Sequence, residues 1–148
     1  MLRVEASVEI ARPPQEVFAY TCEVDNLPLW LTGVIEAKQI TEGPHRKGAE
    51  LEHVLTFLGK RFTARFETTE FEENERLAYR TISGPVDMET TVTLEPVNGG
   101  TRVREVAEGD PRGFFKVAEP VLVKLVQRQL QGSLQNLKDL LEADGAGN

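Results

Sequence analysis

Over its first two thirds the chain alternates apolar and polar residues with the two-residue period of half-buried strands. In residues 4–10, Val4, Ala6, Val8 and Ile10 share one face, and Glu5, Ser7 and Glu9 share the other. "RPPQEVFAYTC" follows, with Pro13 and Pro14 suited to the first turn of a short helix and Val17, Phe18 and Tyr20 supplying its inward side. "DNLPLW" breaks that helix, and strand character returns over residues 34–41. Further strands are punctuated by turn signals: a tight hairpin expected at Gly59-Lys60 in "FLGKRF", a polar turn at "EENER", a bend at "SGP" and a hairpin at "VNGG". Residues 86–95 alternate almost without a break, Val86, Met88, Thr90, Val92 and Leu94 against Asp87, Glu89, Thr91, Thr93 and Glu95.

After "EGDPRG" the period changes. Val123, Val126, Leu130, Leu134, Leu137 and Leu141 recur every three or four residues among charged and amide side chains, which predicts one long amphipathic helix. Pro120 is expected to kink or start it. The order is thus strand, one or two short helices, about six antiparallel strands and a long helix. The sheet has one apolar face and the helix one apolar stripe, so they are expected to cover each other. This is an α+β domain spanning residues 1–148, with a frayed tail over about 143–148 and length enough to bury roughly 68–70% of its unfolded surface.

Charge removes one class of partner. Asp and Glu number 24 against 17 Lys and Arg, a formal charge of -7, and no basic cluster offsets it, so nucleic acid is not expected to bind. Cys22 is the single cysteine and cannot form an intrachain disulfide; it reads as a small core residue in a reducing compartment. The N-terminus alternates instead of forming a signal-like apolar run, and nowhere do 18 apolar residues run together, so a cytoplasmic protein without membrane insertion is expected. His45 and His53 make no metal-ligand spacing, and P-loop, GxGxxG and GxSxG motifs are lacking, so neither metal nor cofactor is expected. Any catalysis would rest on positioned acid and base groups in a pocket.

Strand parity selects the candidate pocket residues. In "ELEHVLTFL", His53 faces inward with Leu51, Leu55 and Phe57, either as a structural histidine or as a ligand contact. In "TRVREVAE", Glu105 faces inward with Val103 and Ala107, where a carboxylate needs a partner such as Arg128, a proton, or a water-filled cavity. Phe66, Tyr79, Thr81, Met88 and Thr90 share the inward parity. Trp30 stands in an irregular apolar segment with Leu27, Leu29, Leu31 and Val34, and is expected to be buried against the cavity wall or the helix. Phe114 and Val121, before and at the start of the long helix, complete the ligand-contacting set. Gly113 and Pro120 interrupt regular helix, so residues 114–121 are expected to act as an entrance flap.

The opening "VEASVEIARPPQEVFAYTCEVDNLPLW", the strands "LAYRTISGP" and "TVTLEPVNGGTRVREV", and the end "AEPVLVKLVQRQLQGSLQNLKDLLE" resemble the SRPBCC superfamily, START-like or birch-pollen-allergen-like, and within it the polyketide cyclase/dehydrase group. The resemblance implies a helix-grip fold: a curved antiparallel sheet of about seven strands wrapped around a long C-terminal helix, two short helices after the first strand, and a cavity between. It also implies lipids, polyketides or phenolics as ligands. The first expectation is a binding or carrier protein, monomeric or homodimeric, for a hydrophobic small molecule. Alternatives are a cyclase or dehydratase-like enzyme with His53 and Glu105 as acid and base, and a chaperone-assisting or co-regulatory interaction module.

Overall fold

The computed structural model describes residues 2–111 and 114–146, the side chains of 114, 115 and 144–146 excepted. Seven strands, β1 (Leu2–Ile10), β2 (Val34–Gln39), β3 (Glu50–Phe57), β4 (Lys60–Glu72), β5 (Arg76–Ser83), β6 (Val86–Val97) and β7 (Gly100–Pro111), form one antiparallel sheet. Their order across it is β1-β7-β6-β5-β4-β3-β2. Helix α1 (Pro14–Cys22), a single 3-10 turn (Val24–Asn26) and α2 (Leu27–Trp30) follow β1, while α3 (Phe114–Val117) and α4 (Glu119–Ala146) close the chain. α4 runs alongside β1 in the same direction. Gln127 bonds the backbone of Glu5, and farther along the Ala11 N–H donates to the Glu142 carboxylate at 2.9 Å. This is the helix-grip arrangement, a curved sheet closed by the C-terminal helix.

Turn chemistry fixes the register. The β6–β7 hairpin turns on Asn98 and Gly99, with φ of 44° and 78°, as "NG" requires. The β3–β4 turn falls on Leu58-Gly59, one residue before the expected Gly59-Lys60, because Phe57 pairs with Lys60. It places Leu58 at φ 53°, so the following glycine supplies only half of the left-handed backbone the turn needs. Register shifts at Ile35 in β2, between Thr68 and Glu70 in β4, and between Thr81 and Ser83 in β5 mark bulges. Bulges bend the strands that carry them, and here they help curl the sheet. Pro120 is the second residue of α4 and starts the helix without kinking it. The expected tail carries helix as far as Ala146, and residues 147 and 148 lie outside the described residues.

The sheet sorts charge from apolar residues by parity. On its outer face Arg104 meets Glu5, Arg102 meets Glu9 and Glu95, Arg80 meets Glu67, and Arg65 and Lys38 share Glu52. Such exposed pairs contribute about 0–1 kcal/mol each. Their larger effect is positional, since these cations are committed to the side away from the helix. On the inner face two apolar clusters form. The larger joins Ile10, Val17, Phe18, Leu77 and Val103 to Leu134, Leu137 and Leu141 of α4. The smaller joins Leu2, Val4 and Ala107 to Met88, Val123 and Val126. Leu130 touches both clusters, and the space between them is open.

Candidate functional site

That space is a cavity of about 260 Å³ between the inner face of the sheet, α2 and α4. Trp30, His53, Leu55, Phe57, Phe66 and Tyr79 line it, as do Thr81, Met88, Thr90 and Glu105. Strand parity brought nine of these together, because every second residue of β3 to β7 faces the same hollow. Val121 does not line it: its side chain is 59% exposed, and Leu122 next to it is the buried cavity residue. The helical rotation of about 100° per residue makes a one-residue error enough to move a side chain from wall to surface. The Phe114 side chain lies outside the described residues.

Trp30 is 3% exposed and sits on a one-turn helix, where an irregular segment was expected. Pro28 occupies an early position of that turn, which suits its fixed φ, and the turn swings the indole beneath α4. The segment is tied to the long helix at three points. Asn136 Nδ2 donates to the Trp30 carbonyl at 3.3 Å, the Thr32 N–H donates to Ser133 Oγ at 2.8 Å, and Ser133 Oγ donates to Thr32 Oγ1 at 3.2 Å. Gly33, at φ +87°, lets the chain pass close to β3: a Cβ there would lie 3.0 Å from the Thr56 carbonyl oxygen.

Glu105 occupies the inner face of β7 between Ala6 of β1 and Val92 of β6, neither of which offers a polar side chain. It is 4% exposed, and its Oε2 has no hydrogen-bond partner among the described residues. Burial alone raises its carboxyl from 4.5 to about 7. Arg128, named above as a possible partner, is exposed on α4. His53 packs against Phe66 with ring centroids 4.8 Å apart. Its Nε2 is also unpartnered among the described residues, and burial lowers it from 6.5 to about 4, so it is neutral at pH 7. Three strands separate β7 from β3, and each group is shifted by burial with no effect from the other's charge. Glu105 instead acts on Tyr79, whose hydroxyl is pushed up chiefly by burial and further by the charges of Cys22 and Glu105.

No signal in the sequence announces how Tyr79 is held. His45 stacks on it with ring centroids 5.9 Å apart, and meets Phe71 at a tilt with centroids 5.3 Å apart. The His45 Nδ1–H donates to the Cys22 carbonyl at 2.8 Å, and Nε2 bonds the Thr68 hydroxyl at 2.9 Å. A loop histidine thus pins α1 and β4 together behind the cavity wall. Gln129 and Ser133 of α4 and Thr21 of α1 add polar points to the lining that strand parity could not reveal. Their signal was present, since residues 129 and 133 are four apart on the helix face that also carries Leu122, Val126 and Leu130. Among the described residues no lysine or arginine lines the cavity, and no group of three His, Cys, Asp or Glu is placed to hold a metal. Nor is any described helix long and apolar enough to cross a membrane.

Known proteins share this architecture. A protein of Streptomyces lincolnensis, the "uncharacterized 17.2 kDa protein in melC2-rnhH intergenic region", is 28% identical over 151 residues, covering 98% of this chain and 93% of its own. The crystal structure of TTHA0849 from Thermus thermophilus superposes with a TM-score of 0.84 at 21% identity, over 96% of this chain and 98% of that one. The Zhui aromatase/cyclase from Streptomyces sp. R1128 superposes with a TM-score of 0.78 at 17% identity, over 95% and 93% of the two chains. At those identities the structural likenesses establish the fold. The sequence goes further: residues 1–142 match the family described as polyketide cyclase / dehydrase and lipid transport, and the chain belongs to it.

Proposed function

We propose that this protein binds and carries one small, mostly apolar ligand, of aromatic character, in the cavity between sheet and α4. One observation carries the reading. The three buried side-chain polar atoms without a partner among the described residues, Trp30 Nε1, His53 Nε2 and Glu105 Oε2, all belong to residues of this one cavity wall. Buried polar groups are otherwise almost always satisfied, and leaving one bare costs about 1–3 kcal/mol. An apolar hollow with a few such points fits a molecule with a hydrocarbon body and hydrogen-bonding substituents. The volume supports a ligand of one or two rings, since a dry cavity of about 150 Å³ already accepts benzene. The family to which the chain belongs supports the same reading, and a hollow core counts against a module that works through its outer surface alone.

The test is titration with the neutral two-ring fluorophore 1-naphthylamine, followed by its own emission and by that of Trp30. Saturable one-to-one binding is expected, with weakened binding in a Val126→Phe variant that narrows the hollow yet melts cooperatively. Absence of saturable binding to the unmodified protein overturns the reading.

A second reading, proton transfer to a bound polyketide-like substrate by a cyclase or dehydratase-like enzyme, is favoured by the Glu105 carboxyl, which exchanges its proton near pH 7. Its companion in that reading is Tyr79, whose hydroxyl feels the Glu105 charge, and not His53. A Glu105→Gln variant that still binds such a substrate but no longer converts it separates catalysis from carriage.

A further inference from the structure

The polar ends of this hollow are unequal in charge. Glu105 is the acidic side chain on its wall, and the wall carries no lysine or arginine among the described residues. The titratable groups that share the lining are Tyr79, beside Glu105 in effect, and His53, three strands away. Across the sheet Glu105 is paired with Ala6 of β1 and Val92 of β6, and α4 presents Leu122, Val126, Gln129, Leu130 and Ser133 to the same cavity, none of them charged. Arg65 of β4, Arg80 of β5, and Arg102 and Arg104 of β7 are on the outer face, paired with Glu52, Glu67, Glu5, Glu9 and Glu95.

We infer that Glu105 is the specificity determinant of the cavity: it hydrogen-bonds a neutral hydroxyl on the ligand and excludes carboxylates of the same size and shape. The inference rests on the binding function proposed above and adds the class of group the ligand carries. A hydroxyl is both donor and acceptor, so it satisfies Oε2 whether the carboxyl is protonated or ionised. A ligand carboxylate would enter an apolar space with no counter-ion to meet it and a second carboxyl ahead of it, the arrangement in which burial and like charge act together against ionisation. Acidic amphiphiles such as fatty acids or aryl carboxylates are therefore poor ligands, and phenol-like molecules good ones.

Three probes with one hydrocarbon body test this: 2-naphthol, naphthalene-2-carboxylate and naphthalene, each titrated by calorimetry at about pH 7.5 into the wild type, Glu105→Gln and Glu105→Ala. For the wild type, 2-naphthol is expected to bind at least tenfold tighter than either of the others. In Glu105→Ala the advantage of the hydroxyl over naphthalene is expected to vanish, and in Glu105→Gln to persist in part, since the amide still hydrogen-bonds. Thermal melts establish that both variants fold, which removal of a buried acid favours. Wild-type affinity for the carboxylate equal to that for 2-naphthol overturns the inference, as does a hydroxyl preference undiminished in Glu105→Ala. Binding of naphthalene without any preference for the hydroxyl leaves the carrier function standing while this inference falls. Failure of all three to bind removes both.

Discussion

Glutamine at position 105 keeps the outline of the carboxyl and abolishes its titration, which makes the cost of burying that acid measurable. In the folded protein the Glu105 carboxyl is raised from 4.5 to about 7 by burial. Between those values the folded state holds a proton that the unfolded chain has released. The contribution of this group to stability is therefore fully present below about pH 4.5 and is lost as pH rises through about 7. At about 1.36 kcal/mol per pH unit, the loss comes to about 3 kcal/mol, a large part of the roughly 5–15 kcal/mol that holds a domain folded. Urea unfolding of the wild type and Glu105→Gln at steps from about pH 4.5 to 8 reads it directly. The stability difference is expected to move with rising pH by about 3 kcal/mol in favour of glutamine. Other titrating groups, His53 included, are common to both proteins and cancel. A difference that does not change with pH refutes the reasoning, because it would mean that Glu105 ionises as readily in the folded protein as in the unfolded chain.

His53 has the opposite sign: lowered from 6.5 to about 4, it supports the fold fully above about pH 6.5 and costs stability as pH falls toward 4. A His53→Phe variant is therefore expected to melt higher than the wild type at about pH 4.5 and to lose that advantage at about pH 7.5. Trp30→Ala is expected to cost about 3–5 kcal/mol in urea unfolding, and wild-type emission is expected to be blue-shifted; emission like free indole would contradict its 3% exposure. Leu134 is fully buried on α4, and Leu134→Asp is expected to give no cooperative melt by circular dichroism, since an unpaired buried charge costs several kcal/mol. Residues 114–121, where helix is broken at Ala118 and both Val117 and Val121 are exposed, are expected to exchange amide hydrogens much faster than residues 126–137 and to slow on addition of 2-naphthol; equal protection of the two would remove the flap.

Period was the legible part of this sequence. Alternation over residues 86–95 sufficed to set β6 and the inward parity of Met88 and Thr90, and the same rule aimed His53 and Glu105 at a common hollow. Two kinds of information escaped it. One is phase at element ends, where the β3–β4 turn sits a residue earlier than expected and the cavity residue at the start of α4 is Leu122 and not Val121. Phase there depends on which backbone pair closes the ladder and on where the first helical turn begins, and apolar residues stand on both sides of each choice. The other is contact between segments far apart in the chain. Nothing in "GPHRK" signals that His45 will bridge Cys22 and Thr68, and nothing near Glu105 signals that Arg128 will face solvent.

The hollow itself is specified by side-chain size. Where α4 carries Leu134, Leu137 and Leu141, the sheet answers with Ile10, Leu77 and Val103 and the core is solid. A few residues toward its start, the helix carries Gln129 and Ser133, and the facing wall sets Ala64, Thr81, Thr90 and Ala107 among its larger side chains. Those short side chains leave the 260 Å³ unfilled. By the scale of about 24 cal/mol per Å³ found for vacated core volume, an open space of that size forgoes about 6 kcal/mol of packing, as much as many domains have in total. Leucine or phenylalanine at one or two of these positions would recover much of it, and the carrier function proposed above accounts for the space being kept. A ligand present at a hundred times its dissociation constant returns about 2.7 kcal/mol to the fold. The same short side chains that weaken the core are therefore what allows a bound molecule to stabilise it, and Val126→Phe, which fills part of the space, is the variant in which that exchange is expected to shift, more stable alone and less stabilised by ligand.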